Sequence, residues 1–201
     1  MKSWKLIAAA LLVLPVAAAI AAQEEREKKQ QPGKEEKGMP TFTPSKEHQM
    51  LKKFDGDWEF TSKCMMPGME EMEGKGTESC RMTYGGFWSD IEAKGLMAGK
   101  DWSGRGFVGW DPQKKKYVGV WIDSMTPYVY KFEGDADAQG KTWTFKTQGV
   151  DPKTGKETSE RMTWDFKDPD HRTMKFFGKD ESGKEVQFSE MNYTRKPAMI
   201  K

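Results

Sequence analysis

From residue 56 onward, apolar residues recur at every second position in short runs. Trp58, Phe60, Ser62 and Cys64 share one side of such a run, against Asp57, Glu59, Thr61 and Lys63. Val118, Val120 and Ile122 alternate with Tyr117, Gly119 and Trp121, and Tyr128, Tyr130 and Phe132 alternate with Val129, Lys131 and Glu133. Trp143 and Phe145, then Met162, Trp164 and Phe166, interleave with polar neighbours in the same way. This period, with its aromatic and β-branched enrichment, predicts strands. Tyr84-Gly85-Gly86, Asp111-Pro112, Glu133-Gly134-Asp135, Asp151-Pro152, Asp168-Pro169-Asp170 and Glu181-Ser182-Gly183 mark turns between or beside the runs. Gly supplies positive φ there, Pro presets φ, and Asp bonds its own backbone. About eight to ten strands with short connections predict an all-β, antiparallel up-and-down barrel, because closure removes exposed sheet edges. The one helical signal is brief: Ser45 caps a segment whose apolar face is His48, Met50, Leu51 and Phe54, and Gly56 ends it.

The first 22 residues follow a different pattern. Lys2 and Lys5 precede an apolar run from Leu6 to Ala22, and Ala19, Ala21 and Ala22 stand before Gln23. A basic start, an apolar centre and small residues at the exit describe a secretory signal peptide. No stable membrane insertion is expected after its cleavage, so the mature protein is secreted or periplasmic. Residues 23–44 form a charged linker with five acidic and five basic side chains in QEEREKKQQPGKEEKG and no large apolar group. Such a stretch cannot bury enough surface to offset its ordering entropy. The folded domain is therefore expected over residues 45–198.

Charge adds an exclusion. The formal net charge of +2 belongs to Lys2 and Lys5, which leaves 31 basic against 31 acidic residues in the mature chain. Nucleic-acid binding needs clustered basic side chains. Lys114–Lys116 is only a short turn run, so no nucleic-acid partner is expected.

Two sets of motifs carry a resemblance. Gly56-Asp57-Trp58 after a short helix, with Arg195 in the last strand, resembles the lipocalin and calycin barrels. There the Trp plugs one end and the late Arg lies across its ring, which implies this structural role for Trp58 and Arg195. Leu96-Met97-Ala98-Gly99-Lys100, Gly104-Arg105-Gly106-Phe107-Val108-Gly109-Trp110-Asp111, Lys116-Tyr117 and Trp121-Ile122-Asp123-Ser124-Met125 form a longer set. With His48-Gln49-Met50-Leu51, Gly56-x-Trp58-Glu59 and Tyr193-x-Arg195, they are similar to an exported bacterial family known as domain of unknown function 1579. The resemblance covers roughly residues 46–196 and implies a calycin-like barrel, without an established activity. Trp110 departs from the Tyr expected before the Asp.

The aromatic population points to binding of a small apolar or aromatic ligand inside the barrel, with Trp110, Trp121, Tyr128, Trp143 and Trp164 as its expected lining. A barrel of this size is wide enough for a small ligand. An alternative is Cu(I) on the loop from Cys64 to Met72, where Met65, Met66, Met69 and Met72 supply soft donors. No other cofactor is implied. Cys64 and Cys80, the only cysteines, are expected to form a disulfide across a hairpin centred on Met72, stabilising by roughly 3 kcal/mol in the chain-entropy estimate. A disulfide competes with copper for Cys64. A third alternative is a small enzyme whose carboxylates Asp90 and Asp123 face the aromatic cavity and act as acid and base. His48 and His171 lack ligand spacing and are expected to be structural or solvent-facing. Gly104-x-Gly106-x-x-Gly109 has no helix after it and lacks a dinucleotide-binding context.

Overall fold

Eleven strands follow one short helix in the computed structural model, which describes residues 40–65, 70–151, 154–180 and 182–197. Helix α1 (Lys46–Met50) runs into a 3-10 turn (Leu51–Lys53). The strands are β1 (Gly56–Cys64), β2 (Met72–Thr83), β3 (Trp88–Met97), β4 (Lys100–Asp111), β5 (Lys116–Asp123), β6 (Thr126–Ala136), β7 (Thr142–Val150), β8 (Glu157–Thr158), β9 (Arg161–Asp168), β10 (His171–Lys179) and β11 (Glu185–Arg195). The order is β6-β5-β4-β3-β2-β1-β11-β10-β9-β7, and β6 pairs with β7 to close a ten-stranded antiparallel barrel. The two-residue β8 pairs with the end of β7 outside that ring. The all-β up-and-down barrel with its short N-terminal helix is thus observed. Residues 1–22, expected to be a signal peptide, lie outside the described residues, as does the expected linker up to residue 39.

One end of the barrel is closed by the elements before β1. Ser45 N–H donates to His48 Nδ1 at 3.0 Å and starts α1. Leu51 and Phe54 are fully buried beneath it. Trp58 is also fully buried and donates its Nε1–H to the Phe54 carbonyl at 2.8 Å. The Arg195 guanidinium lies 4.0 Å from the centre of the Trp58 ring. It donates to the carbonyls of Lys53 (3.0 Å), Pro169 (3.0 Å) and Asp55. A single cation thus ties the helical entry, the β9–β10 turn and the last strand together, as the resemblance implies for these two residues.

The hairpin register corrects the expected disulfide. Cys64 pairs with Met72, whereas Cys80 pairs with Gly56 at the other end of the same two strands. Eight residues of strand separate them, about 26 Å, and a disulfide needs Cα atoms within about 7 Å. Both cysteines are free. Strand β1 ends at Cys64 and β2 begins at Met72, so Met72 opens the second strand and is not the centre of the hairpin. Gly74 and Gly76 lie within β2, because their missing side chains leave room for other groups. A Cβ on Gly74 would stand 2.7 Å from Met97 Sδ, and one on Gly76 2.8 Å from the Phe60 ring.

Candidate functional site

The barrel interior changes character along its axis. At the helix-capped end the inward side chains are sealed: Trp58, Phe54 and Trp143 are fully buried, with Phe145, Trp164 and Phe166 close behind. A charged pair lies among them. Arg172 donates to the Glu78 carboxylate, and its guanidinium sits 4.0 Å from the Tyr193 ring and 4.8 Å from Trp58. Cys80 donates to Glu78 at 3.1 Å. Burial pushes the Cys80 thiol and the Tyr193 phenol well above their usual ranges, and the Glu78 charge adds to both.

At the opposite end the interior is filled to the level of Trp102, Met162 and Thr147, all buried. Beyond that level the inward residues are half-buried: Cys64, Met97, Trp121, Asp123, Tyr128, Tyr130, Phe176 and Ser189. This is an open mouth walled by aromatic rings. Trp121 stacks on Trp102 with centroids 6.1 Å apart and planes 24° apart. It lies flat because β4 offers only Gly104 and Gly106 beneath it; a Cβ on Gly106 would meet the indole at 2.7 Å. Asp123 holds the indole edge, accepting from Trp121 Nε1 at 3.2 Å and from the backbone N–H of Met125 at 2.9 Å.

Glu160 stands at the entry to β9 with the parity of Met162 and Trp164, which points it inward. Its backbone is clamped to β7: the carbonyl accepts from Thr147 N–H at 2.8 Å, and its own N–H donates to Thr147 Oγ1 at 3.3 Å. Burial raises the Glu160 carboxyl above its usual range, and the Asp151 charge raises it further. Burial likewise raises the Tyr130 phenol and the Cys64 thiol, and the Glu160 charge adds to both, which places these groups within one another's field. At the same end a groove of about 810 Å³ runs over the rim of β11, β1 and β2. It is lined by Ser62, Cys64, Phe188 and Ser189 together with outward Lys63, Glu73 and Lys75. It is a rim groove, continuous with the mouth at Cys64 and Ser189, and distinct from the aromatic interior.

The structure divides the expected lining residues. Trp121 and Tyr128 are in the mouth. Trp143 and Trp164 are buried in the sealed end, within reach of Phe54 at 5.1 and 4.7 Å between ring centres. Trp110 packs edge-on against Tyr117 at 4.9 Å, also towards the helix-capped end. The five do not share a wall. Asp90 and Asp123 are also apart: Asp90 faces outward, where Arg105 bridges it at 2.6 and 3.0 Å. The expectation of two carboxylates facing one cavity is therefore corrected, because β3 turns Ser89 and Ile91 inward instead of Asp90. Of the Met-rich loop, Met66 and Met69 lie outside the described residues, Met65 is exposed, and half-buried Met72 faces Cys64. His48 is a buried residue of α1, and His171 is exposed beside Asp168. Tyr130 and Glu160 were not among the expected site residues, although strand parity already placed each on an apolar face.

A closed meander barrel, plugged at one end by a helix, a Trp and an Arg and open at the other, is a calycin-like barrel. The chain belongs to the DUF1579 family, proteins of unknown function, whose sequence profile matches residues 43–195. No curated protein matches it significantly. Among solved structures, it is similar to Rv2717c from M. tuberculosis, at 14% identity and a TM-score of 0.59, covering 76% of this chain and 99% of that one. It is also similar to the S-type phycobiliprotein lyase CPES from Guillardia theta, at 13% identity and a TM-score of 0.49, covering 77% and 99%. The first of these shows a shared fold.

Proposed function

We propose that this is an exported carrier or receptor that binds a small, mostly apolar or aromatic molecule in the open mouth of its barrel. The observation that supports the reading is the contrast between the two ends. Aromatic residues of the same strands are sealed at the helix-capped end, but Trp121, Tyr128 and Tyr130 keep a partly free face at the other. Aromatic surface held open to water on a rigid sheet costs free energy, and a ligand that covers it recovers that cost. Export is supported by the composition of residues 1–22, and no helix among the described residues is long and apolar enough to cross a membrane.

The uncharged fluorescent probe N-phenyl-1-naphthylamine tests the reading. The protein is expected to bind it with quenching of Trp emission, and Trp121→Ala should weaken binding at least tenfold, about 1.4 kcal/mol, while near-UV circular dichroism stays folded. Absence of binding, or equal binding by the variant, removes the proposal.

One observation favours a second reading, Cu(I) binding at the β1–β2 loop: Cys64 is free of Cys80 and faces Met72. Against it, burial disfavours the Cys64 thiolate that soft-metal binding requires. On this reading, changing Met65, Met66, Met69 and Met72 together to Leu abolishes Cu(I) uptake in competition with a chromogenic chelator. Undiminished uptake rules the loop out.

A further inference from the structure

We infer that the mouth selects ligands carrying a protonated amine or other organic cation on their apolar body, with Glu160 as the charge partner. The inference rests on the binding reading above and adds the charge of the ligand.

Among the described residues, the ionisable side chains directed into the mouth are Asp123, Glu160, the Tyr128 and Tyr130 phenols and the Cys64 thiol, all of them acids. The cations at this end lie elsewhere. Lys63 pairs outside with Glu71 and Glu73 at 3.1 and 3.2 Å. Arg161 pairs with Glu185 at 2.6 Å and covers the Phe177 ring at 3.7 Å. Lys75, Lys100 and Lys131 are exposed.

The two carboxylates differ in what they already hold. Asp123 is occupied by the Trp121 indole and the turn amides of Met125 and Thr126. It is a positioning residue that also contributes its charge. The Glu160 carboxylate takes no hydrogen bond and no ion pair among the described residues, although its backbone is fixed to Thr147 on both sides. On β6, the Thr126 hydroxyl oxygen is buried next to the Tyr130 phenol without a hydrogen bond of good geometry. An unpaired, largely buried carboxylate destabilises a fold unless something brings the opposite charge. Aromatic faces around it add attraction for the same charge, since a cation over Trp or Tyr gains from the ring quadrupole. Among the described residues, an anionic ligand would meet only acids.

Three probes of one shape test this on the intact domain: 2-naphthylmethylamine, its N,N,N-trimethyl derivative and 2-naphthoate, titrated by calorimetry at pH 7.5. Both cations are expected to bind at least tenfold more tightly than the carboxylate. Glu160→Gln keeps the backbone clamp and should bring the ratio within threefold. Asp123→Asn, tested separately, should reduce the ratio less. Equal or tighter binding of naphthoate, or a preference that survives Glu160→Gln, overturns the inference while neutral-probe binding still upholds the carrier reading. Failure of every naphthyl probe to bind removes both.

Discussion

Arg172→Met should cost about 3–5 kcal/mol of folding stability, the range for breaking a buried ion pair from one side. Arg172 and Glu78 are both almost completely buried, from strands 94 residues apart in sequence, and face each other across the sealed interior. Removing the guanidinium strands the Glu78 charge beside the Cys80 thiol and Tyr193 phenol, neither of which supplies a positive charge. It also deletes the cation stacked on Tyr193 and Trp58. The pair itself is another matter. Replacing both members with apolar groups removes the desolvation penalty together with the attraction, so Arg172→Met with Glu78→Leu should recover at least half the loss. Denaturant unfolding of the wild type, both single variants and the double variant measures this directly. A loss under about 1 kcal/mol for Arg172→Met would show that water reaches the pair.

The contrast between a plugged and an open end was only partly legible in the sequence. Period-two runs and Gly, Pro and Asp turns located the strands, and Gly56-x-Trp58 with Arg195 located the plug. Alternation tells which residues share a face, but it does not say at which height of the barrel each one ends. Trp143 and Trp121 have the same parity signal; their fates differ because Trp143 meets Phe54 and Tyr117 at the capped end, while Trp121 meets Gly104 and Gly106 near the mouth. The cysteine pairing failed for a related reason. The hairpin was expected to centre on Met72, yet Met72 opens β2 and Gly74 and Gly76 are strand residues making space for Met97 and Phe60, so the strand reaches nearly to Cys64. Asp90 was expected inward, yet β3 turns Ser89 and Ile91 to the interior, and the Trp88 ring on the same face as Asp90 lies over Gly109 on the outer wall. Arg172 and Glu160 carried a usable signal: each is a charged residue in the inward phase of an apolar strand.

Phe54→Ala should be the most damaging truncation at the plug, lowering stability by about 3–5 kcal/mol and the melting temperature by about 10 °C. Phe54 is fully buried and sits where the 3-10 turn enters the barrel. Its ring meets Trp143, Trp164 and Phe166 edge-on at 5.1, 4.7 and 5.0 Å, and the Arg172 guanidinium lies 5.4 Å away. Three large rings anchored on the paired strands β7 and β9 cannot close the resulting void without moving those strands, so relaxation will be poor and the cost will lie near the top of the range. The void also borders the Arg172–Glu78 pair, where entering water would weaken its electrostatics. Phe54→Leu, which keeps part of the volume, should cost less than half as much. The mouth lies at the other end of the barrel, so both variants should bind N-phenyl-1-naphthylamine with wild-type affinity below their melting temperatures. If Phe54→Ala instead abolishes probe binding while the domain remains folded, the ligand sits against the plug, and the sealed and open ends have been assigned the wrong way round.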